Sequence, residues 1–232
     1  MRFRLSILFV TGALAASQAH AVTRNFGINS FDRVRVEGPY RVKLSTGIAP
    51  FAAASGSATA LDRITIEVQG RTLIIHNGQS SWGGYPGQDP GPVEIRVGTH
   101  DLDQAMLTGS GSLDIDKVRG LTFTLIVQGS GLASIGQANV DQLRADIAGT
   151  GGAVIAGTAL KLTANMRGTS SLDASGLKIN DANFTADGAA TVKANVTNSA
   201  TIVGSGPATF VLTGKPACTS KIAGSTSVSG CR

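Results

Sequence analysis

Two pairs of aspartates have the spacing that carboxylate chemistry requires. Asp101 precedes Asp103 by two positions, and Asp114 precedes Asp116 in the same way. On an extended strand such residues face the same side, roughly 7 Å apart, and glycoside hydrolysis uses two carboxyl groups about 5 to 9.5 Å apart. The pairs are therefore candidate catalytic groups of a polysaccharide lyase or hydrolase. A solvated strand face is the simpler interpretation, because no lysine or arginine stack accompanies either pair.

The other catalytic and metal-binding residue types do not combine into a recognisable site. His76 and His100 are the histidines beyond the N-terminal segment, and neither has a cysteine or a second histidine at zinc-ligand spacing. No nucleophile elbow and no phosphate-binding P-loop occurs in the sequence. The Gly-Gly-x-Gly-x-Asp repeats of calcium-binding solenoids are missing as well. We therefore expect no catalytic residue, no metal and no cofactor.

The residue types best suited to binding lie in one irregular segment, residues 77–92. It is rich in glycine and proline, which predicts a long surface loop, and it carries Trp82 and Tyr85. Exposed aromatic rings offer flat apolar faces to sugar rings or to partner proteins. Trp82 folding back as a local cover for the core is the alternative, and the sequence leaves both open.

A glycine that recurs about every 20 residues predicts the strands that position these residues. The clearest copies are Gly109-Ser110-Gly111, Gly129-Ser130-Gly131, Gly149-Thr150-Gly151 and Gly204-Ser205-Gly206, and Gly168 and Gly188 continue the phase. A fixed period of this length with alternation inside it is typical of a stacked β-solenoid. We expect the glycines to lie where the wall bends and leaves no room for a Cβ atom.

Around each glycine, four positions carry only apolar side chains. Four residues before it stand Ala105, Leu125, Ala145, Ala164, Phe184 and Ala200, and two before it stand Leu107, Val127, Ile147, Met166, Ala186 and Ile202. Four residues after it stand Leu113, Ala133, Ala153, Leu172, Val192 and Ala208, and six after it stand Ile115, Ile135, Ile155, Ala174, Ala194 and Phe210. This alternation predicts an inward face that stacks into aliphatic ladders, with coils about 4.8 Å apart.

The predicted fold class is therefore all-β, a single-domain parallel β-helix with about 20 residues per coil. Gly38 repeats the phase early, with Val34, Val36, Val42 and Leu44 in the apolar positions. Between Gly38 and Gly109 the period is lost. An open coil exposes unpaired strand edges, so we expect the strands before Leu61 and the cysteine-bearing tail to cap the two ends.

Residues 1–21 are typical of a secretory signal peptide. Arg2 and Arg4 precede a short apolar run, and Ala19-His20-Ala21 supplies a small-x-small cleavage site, which leaves residues 22–232 as the mature domain. That domain has 18 basic and 15 acidic residues, a scattered net charge of +3 that gives no support to nucleic-acid binding. No second apolar run reaches the roughly 20 residues of a transmembrane helix.

The two cysteines, Cys218 and Cys231, stand at the C-terminal end of the chain. In an exported protein this spacing predicts a disulfide that closes a short loop and pins the last strand. By loop-closure entropy such a bridge contributes about 3 kcal/mol.

The repeat as a whole resembles the GIN-domain family of autotransporter adhesin heads. The resemblance rests on Val34-x-Val36-x-Gly38 followed by Val42-x-Leu44, on Leu73-Ile74-Ile75 and on the recurring Gly-Ser-Gly coils, over roughly residues 28 to 216. It implies a right-handed parallel β-helix at the bacterial cell envelope, and no catalytic residue carries over from it. We expect a non-enzymatic exported protein, periplasmic or at the surface of a Gram-negative bacterium, that binds envelope polysaccharide or a surface protein.

Overall fold

The computed structural model describes residues 22–78 and 91–232 of the chain. It is nearly all β, with 73% strand and 3% helix, and forms a β-solenoid of about 6 turns with roughly 20 residues per coil. The predicted fold class is thereby confirmed. The predicted signal peptide and the central part of the 77–92 loop, including Trp82 and Tyr85, lie outside the described residues.

The described residues form sixteen strands and one short helix. The strands are β1 (Val22–Phe26), β2 (Arg33–Glu37), β3 (Arg41–Thr46), β4 (Phe51–Gly56), β5 (Ile64–Gln69), β6 (Thr72–Asn77), β7 (Glu94–Thr99), β8 (Gln104–Gly109), β9 (Ser112–Gly129), β10 (Leu132–Gly149), β11 (Gly152–Gly168), β12 (Ser171–Asp187), β13 (Thr191–Ser205), β14 (Thr209–Thr213), β15 (Ala217–Ala223) and β16 (Ser227–Ser229), and the helix is α1 (Ala58–Asp62).

The long strands β9 to β13 each follow the wall for most of a coil and pair in parallel with the next coil. Identical positions of the repeat stack, so that Ile115, Ile135 and Ile155 are register partners. All 24 predicted inward residues are at most 3% exposed. The period-2 alternation therefore identified the core face correctly.

The glycine corner joins successive coils by backbone hydrogen bonds. The Gly129 carbonyl accepts from the backbone N–H groups of Thr150 and Gly151, each at 2.9 Å, and the Gly109 carbonyl does the same one coil earlier. Gly129 has φ +109, and a Cβ added there would lie 2.6 Å from the Gly109 carbonyl oxygen. The expected lack of room for a side chain is confirmed at this corner.

The sixth copy of the repeat has a different register from the predicted one. Ala186 pairs with Gly204, and the residue that stacks on Gly188 with a positive φ is Gly206, not Gly204. This coil is 18 residues long, and the register between β12 and β13 shifts between Ala174 and Lys178 and again between Ile179 and Asp181, which accounts for the two missing residues. The error of two residues preserved the parity of the strand, so the inward residues were still assigned to the correct face.

Two inward ladders did not emerge from the period-2 pattern. One consists of Phe123, Leu143, Leu162 and Ala182, which lie six residues before Gly129, Gly149, Gly168 and Gly188. The other begins at Val118 and Ala138, where two outward residues separate consecutive inward ones. The phase of the alternation changes at this bend, which hides the second ladder from a strict period-2 search.

The N-terminal coils do not follow chain order. Strand β2 pairs with both β6 and β8, and β3 pairs with both β7 and β9, so the β2–β3 coil lies inside the stack. The outer coil is β6–β7, and the antiparallel strands β5, β4 and β1 cover it. The prediction that the strands before Leu61 cap the solenoid is thus right for β1 and β4 and wrong for β2 and β3. The latter have the inward alternation of a regular coil and pair on both edges.

The helix α1 and the disulfide lie near the two ends of the solenoid. Leu61 of α1 is fully buried, and Arg24 of β1 donates to its carbonyl at 3.1 Å. Cys218 and Cys231 are bonded, as predicted, with Cα atoms 5.7 Å apart. Among residues 22–78 and 91–232, we find no helix with the length and apolar character needed to cross a bilayer.

Candidate functional site

A groove opens where the chain order of the coils is broken. Strand β7 pairs with β3, and β8 pairs with β2, so the β2–β3 coil lies between them in the stack. The connection from β7 to β8 must therefore cross that coil. The His100 carbonyl accepts from Gly47 N–H at 2.9 Å, and Asp103 N–H donates to the Asp32 carbonyl at 2.8 Å. This connection is irregular, whereas in the later coils a continuous strand such as β9 follows the wall at this place. The cavity beside it, about 490 Å³, is lined by Asp32, Arg71, His100, Asp101, Asp103 and Arg119 among others, and we call it the crossover groove.

One set of charges in the crossover groove is fixed by ion pairs. The Asp32 carboxylate, only 14% exposed, pairs with the Arg71 guanidinium, which also lies 3.7 Å from the Asp103 carboxylate. Arg33 approaches Asp32 at 4.0 Å from the strand side. This largely buried carboxylate between two arginines holds Arg71 at the groove.

Two further charged side chains of the groove have no side-chain partner among the described residues. Asp101 and Arg119 are exposed, line the same groove, and form no ion pair or side-chain hydrogen bond with any residue of the described ranges. Lys117 and His100 line an adjoining cavity of about 240 Å³ with them. These donors and acceptors are available to a ligand without breaking an internal contact.

The structure separates the two predicted carboxylate pairs by their roles. Asp101 and Asp103 both line the crossover groove. Asp114 instead accepts from the Ser134 hydroxyl at 2.6 Å, and Asp116 accepts from the backbone N–H groups of Lys117 at 2.6 Å and Thr46 at 3.0 Å. Asp116 thereby ties the end of β3 to β9, and Asp114 links two coils, so this pair serves the fold.

The two histidines also have separate environments. His76 lies on the β5–β6 hairpin, with its Nε2 atom 3.7 Å from the Glu67 carboxylate and its Nδ1 atom 2.8 Å from the Asn77 carbonyl oxygen. His100 lies at the crossover groove. Within the part of the chain that the structure describes, no group of three or more His, Cys, Asp or Glu side chains is arranged to hold a metal ion.

The root of the 77–92 loop lies at Asn77, the end of β6 that is opposite Arg71. The Tyr40 hydroxyl donates to the Asn77 side-chain oxygen, and Gly78 N–H donates to the Arg63 carbonyl at 2.7 Å. Burial raises the pKa of Tyr40, so its phenol stays a donor to a higher pH than an exposed tyrosine would. The six residues of β6 separate this root from Arg71 by about 20 Å, so the root and the crossover groove lie at opposite ends of β6.

The positively charged residues of the crossover groove were not among the predicted site residues. Arg71 and Arg119 belong to no motif, and they lie 48 positions apart in the sequence. The dipeptide Gly70-Arg71, which is typical of a turn, is a local signal in the sequence. The two arginines line one groove because β6 and β9 lie on the two sides of the β2–β3 coil.

A known family matches most of this chain. The family described as "putative auto-transporter adhesin, head GIN domain" matches residues 30–216. This chain belongs to that GIN-domain family. The match includes the coils up to β14, the crossover groove and both ends of the 77–92 loop. No curated protein matches the chain.

Several solved structures share the fold. A "putative adhesin" from Bacteroides fragilis has 16% identity and a TM-score of 0.70, with 91% of this chain and 94% of that one covered. A "putative adhesin" from Parabacteroides merdae has 16% identity and a TM-score of 0.68 over 93% and 98% of the two chains. A "putative lipid binding protein" from Parabacteroides distasonis has 20% identity and a TM-score of 0.69 over 91% and 98%. At these identities the likeness establishes the shared fold.

Proposed function

We propose that this GIN-domain protein is an exported envelope or surface protein of a Gram-negative bacterium, and that it acts by binding rather than by catalysis. It serves as an adhesin-like or scaffold module whose partners are glycans or proteins. The family description supports adhesion at the cell surface. The disulfide supports an oxidising compartment, and the leader-like residues 1–21 support export.

The observation that carries the proposal is the position of the 77–92 loop on the solenoid. Other corners of this kind take two or three residues, 110–111 between β8 and β9 and 38–40 between β2 and β3, whereas sixteen residues separate β6 from β7. Insertions in stacked repeats form loops on one face, which is often the binding face. The root of this insertion is held by Tyr40 and Arg63. Trp82 and Tyr85 are proposed to supply its contact surface.

A polysaccharide-acting enzyme is the second candidate, and one observation favours it. Asp101 and Asp103 line the same groove, with Arg71 beside Asp103. This hypothesis expects turnover of a glycan, lost in Asp101→Asn or Asp103→Asn while the melting temperature is kept. Absence of turnover across a broad panel of envelope and extracellular glycans would remove it.

The binding proposal is tested with purified residues 22–232. The protein is incubated with immobilised envelope and extracellular polysaccharides and with phospholipid vesicles, and the retained fraction is measured. We expect selective retention on a glycan, reduced by Trp82→Ala. The matched control is Leu160→Ala, which removes an exposed apolar side chain (54% exposed) from the wall.

Each outcome of this experiment has a distinct meaning. Retention that Trp82→Ala and Leu160→Ala leave equally unchanged would contradict the role of the loop. Retention on vesicles alone would replace the glycan by a lipid surface. No retention on any glycan or vesicle would leave only the protein partner, which crosslinking on intact cells would then have to identify.

A further inference from the structure

We propose that the crossover groove is a second binding site, and that it takes a neutral oligosaccharide between Asp101 and Arg119. The inference rests on the proposed binding function but not on the 77–92 loop, whose root at Asn77 lies about 20 Å from Arg71 along β6. It assigns a role to the groove that the family description does not give.

The first argument is the uncommitted charge in the groove. Asp101 and Arg119 line one cavity, yet they form no ion pair with each other within 4.0 Å. Exposed groups of opposite charge that do not pair leave a gap that a ligand can bridge. A hydroxyl group both donates and accepts, so neighbouring sugar hydroxyls can donate to the carboxylate and accept from the guanidinium. Hydrogen bonds with one ionised partner are the stronger kind.

The second argument is that part of the groove wall is held in place before any ligand binds. Asp32, 14% exposed, fixes Arg71 by an ion pair, and the Asp32 carbonyl fixes Asp103 through its backbone N–H at 2.8 Å. The other end of the connection is fixed by Gly47 N–H on the His100 carbonyl. A site that is ordered before binding avoids the entropy of ordering it with the ligand.

The third argument is the extension of the groove toward Leu121. A cavity of about 480 Å³ shares Asp103 with the crossover groove and is lined by Arg33, Gln104, Thr122 and Thr124 as well as Leu121, which is 76% exposed. Amide and hydroxyl groups beside an exposed aliphatic side chain match the polar edge and the apolar C–H face of a sugar ring. The two cavities together accommodate more than one sugar unit.

The fourth argument selects a neutral ligand over an acidic one. The crossover groove and its extension are lined by three carboxylates, Asp32, Asp101 and Asp103, and by three guanidinium groups, Arg33, Arg71 and Arg119. These opposite charges balance, so the lining offers a polyuronate no net attraction. The hydroxyl groups of a neutral oligosaccharide can bind both kinds of group.

The test is an NMR titration of residues 22–232 with cellohexaose, maltohexaose, laminarihexaose and oligogalacturonate. We expect a neutral hexaose to shift the backbone amide signals of Asp101 and Arg119. Asp101→Ala and Arg119→Ala should each weaken its binding about tenfold or more. The matched controls Asp187→Ala and Arg167→Ala remove the same charges from register partners on β11 and β12 and should leave the affinity unchanged.

Other outcomes overturn the inference without removing the proposed function. Shifts confined to Tyr40, Asn77 and Gly91 would place saccharide binding at the loop instead. Binding of oligogalacturonate alone would reverse the charge argument. No shift with any saccharide, while the intact protein still binds a polysaccharide or a protein partner through Trp82, would exclude the groove and keep the binding module. Unchanged melting temperatures are required of all four variants.

Discussion

At the residue scale, glycine makes the close stacking of coils possible at one corner. Gly129 combines a positive φ with a backbone carbonyl 2.6 Å from where its Cβ would lie, whereas Gly120 has φ +135 and nothing within 4 Å. A comparison of the two glycines therefore distinguishes the effect of a strained backbone conformation from the effect of steric overlap. Only the first also carries the carbonyl that joins two coils through Thr150 and Gly151.

We expect Gly129→Ala to lower the free energy of unfolding by about 3 kcal/mol, because strain and overlap add. Gly120→Ala should lower it by about 1 kcal/mol, since only the left-handed conformation is penalised. Urea denaturation of both variants provides the comparison. Equal effects of the two substitutions would mean that the coils move apart and that the overlap is not rigid.

The inward ladders make a second residue-scale prediction. Ile135 is 2% exposed between Ile115 and Ile155, and Leu132 on the same strand is 61% exposed. Ile135→Asp should destabilise the protein by about 4 kcal/mol or more, because it places an unpaired charge in an aliphatic stack. Leu132→Asp should change stability by no more than about 0.5 kcal/mol. Thermal unfolding measures both, and an unchanged melting temperature for Ile135→Asp would refute the inward register.

At the element scale, side chains on the outer wall link one coil to the next. Asp181 of β12 accepts from the Ser199 hydroxyl and from the Asn198 side-chain amide, both on β13. These hydrogen bonds, that of Ser199 first, hold the pKa of Asp181 below its ordinary value of 3.8. The ionised carboxylate is therefore favoured in the folded state.

Asp181 stabilises the fold above its unfolded pKa, and this stabilisation is lost as the pH falls through the lowered folded pKa. We expect Asp181→Asn to flatten the pH dependence of the unfolding free energy below about pH 4. Asp141→Asn is the control, because the Asp141 side chain makes no hydrogen bond with a residue that the structure describes. Parallel pH profiles for the native protein and Asp181→Asn would show that the link between β12 and β13 has no energetic weight.

At the scale of the whole molecule, the two ends of the solenoid are stabilised by different means. The N-terminal end is covered by β1, β4, β5 and the helix α1, in which Leu61 is fully buried. Toward the other end, β15 and β16 are largely exposed, and the disulfide joins β15 to the segment after β16. Solenoid stability is a sum over neighbouring coils, so each end opens independently.

We expect reduction of the Cys218–Cys231 disulfide to destabilise β15 and β16 by about 3 kcal/mol while the central coils stay folded. Hydrogen exchange should then become fast in residues 217–229 and remain slow in β10 and β11. The double variant with serine at both cysteines should behave like the reduced protein. Simultaneous loss of protection in every coil would show that the solenoid unfolds as one cooperative unit.

The candidate site was predictable only in part. The spacing of Asp101 and Asp103 marked a pair of outward carboxylates, and both line the crossover groove. Asp114 and Asp116 have the same spacing, yet they bind Ser134, Thr46 and backbone groups. Spacing along a strand determines which face a residue occupies, but the neighbours on that face come from other coils.

The sequence by itself determined the period, the inward face, the glycine corner and the disulfide, because each depends on the spacing of residues along one strand or turn. Only the tertiary structure decided that β2 and β3 lie between β6–β7 and β8–β9, and that Gly206 rather than Gly204 stacks on Gly188. Parallel strands with similar alternation can pair with several other strands. Their order in the stack therefore depends on which of these pairings, between segments far apart in the sequence, is the most stable. The crossover groove is a product of that choice, since Asp32, Arg71, Asp101 and Arg119 meet only in this order of coils.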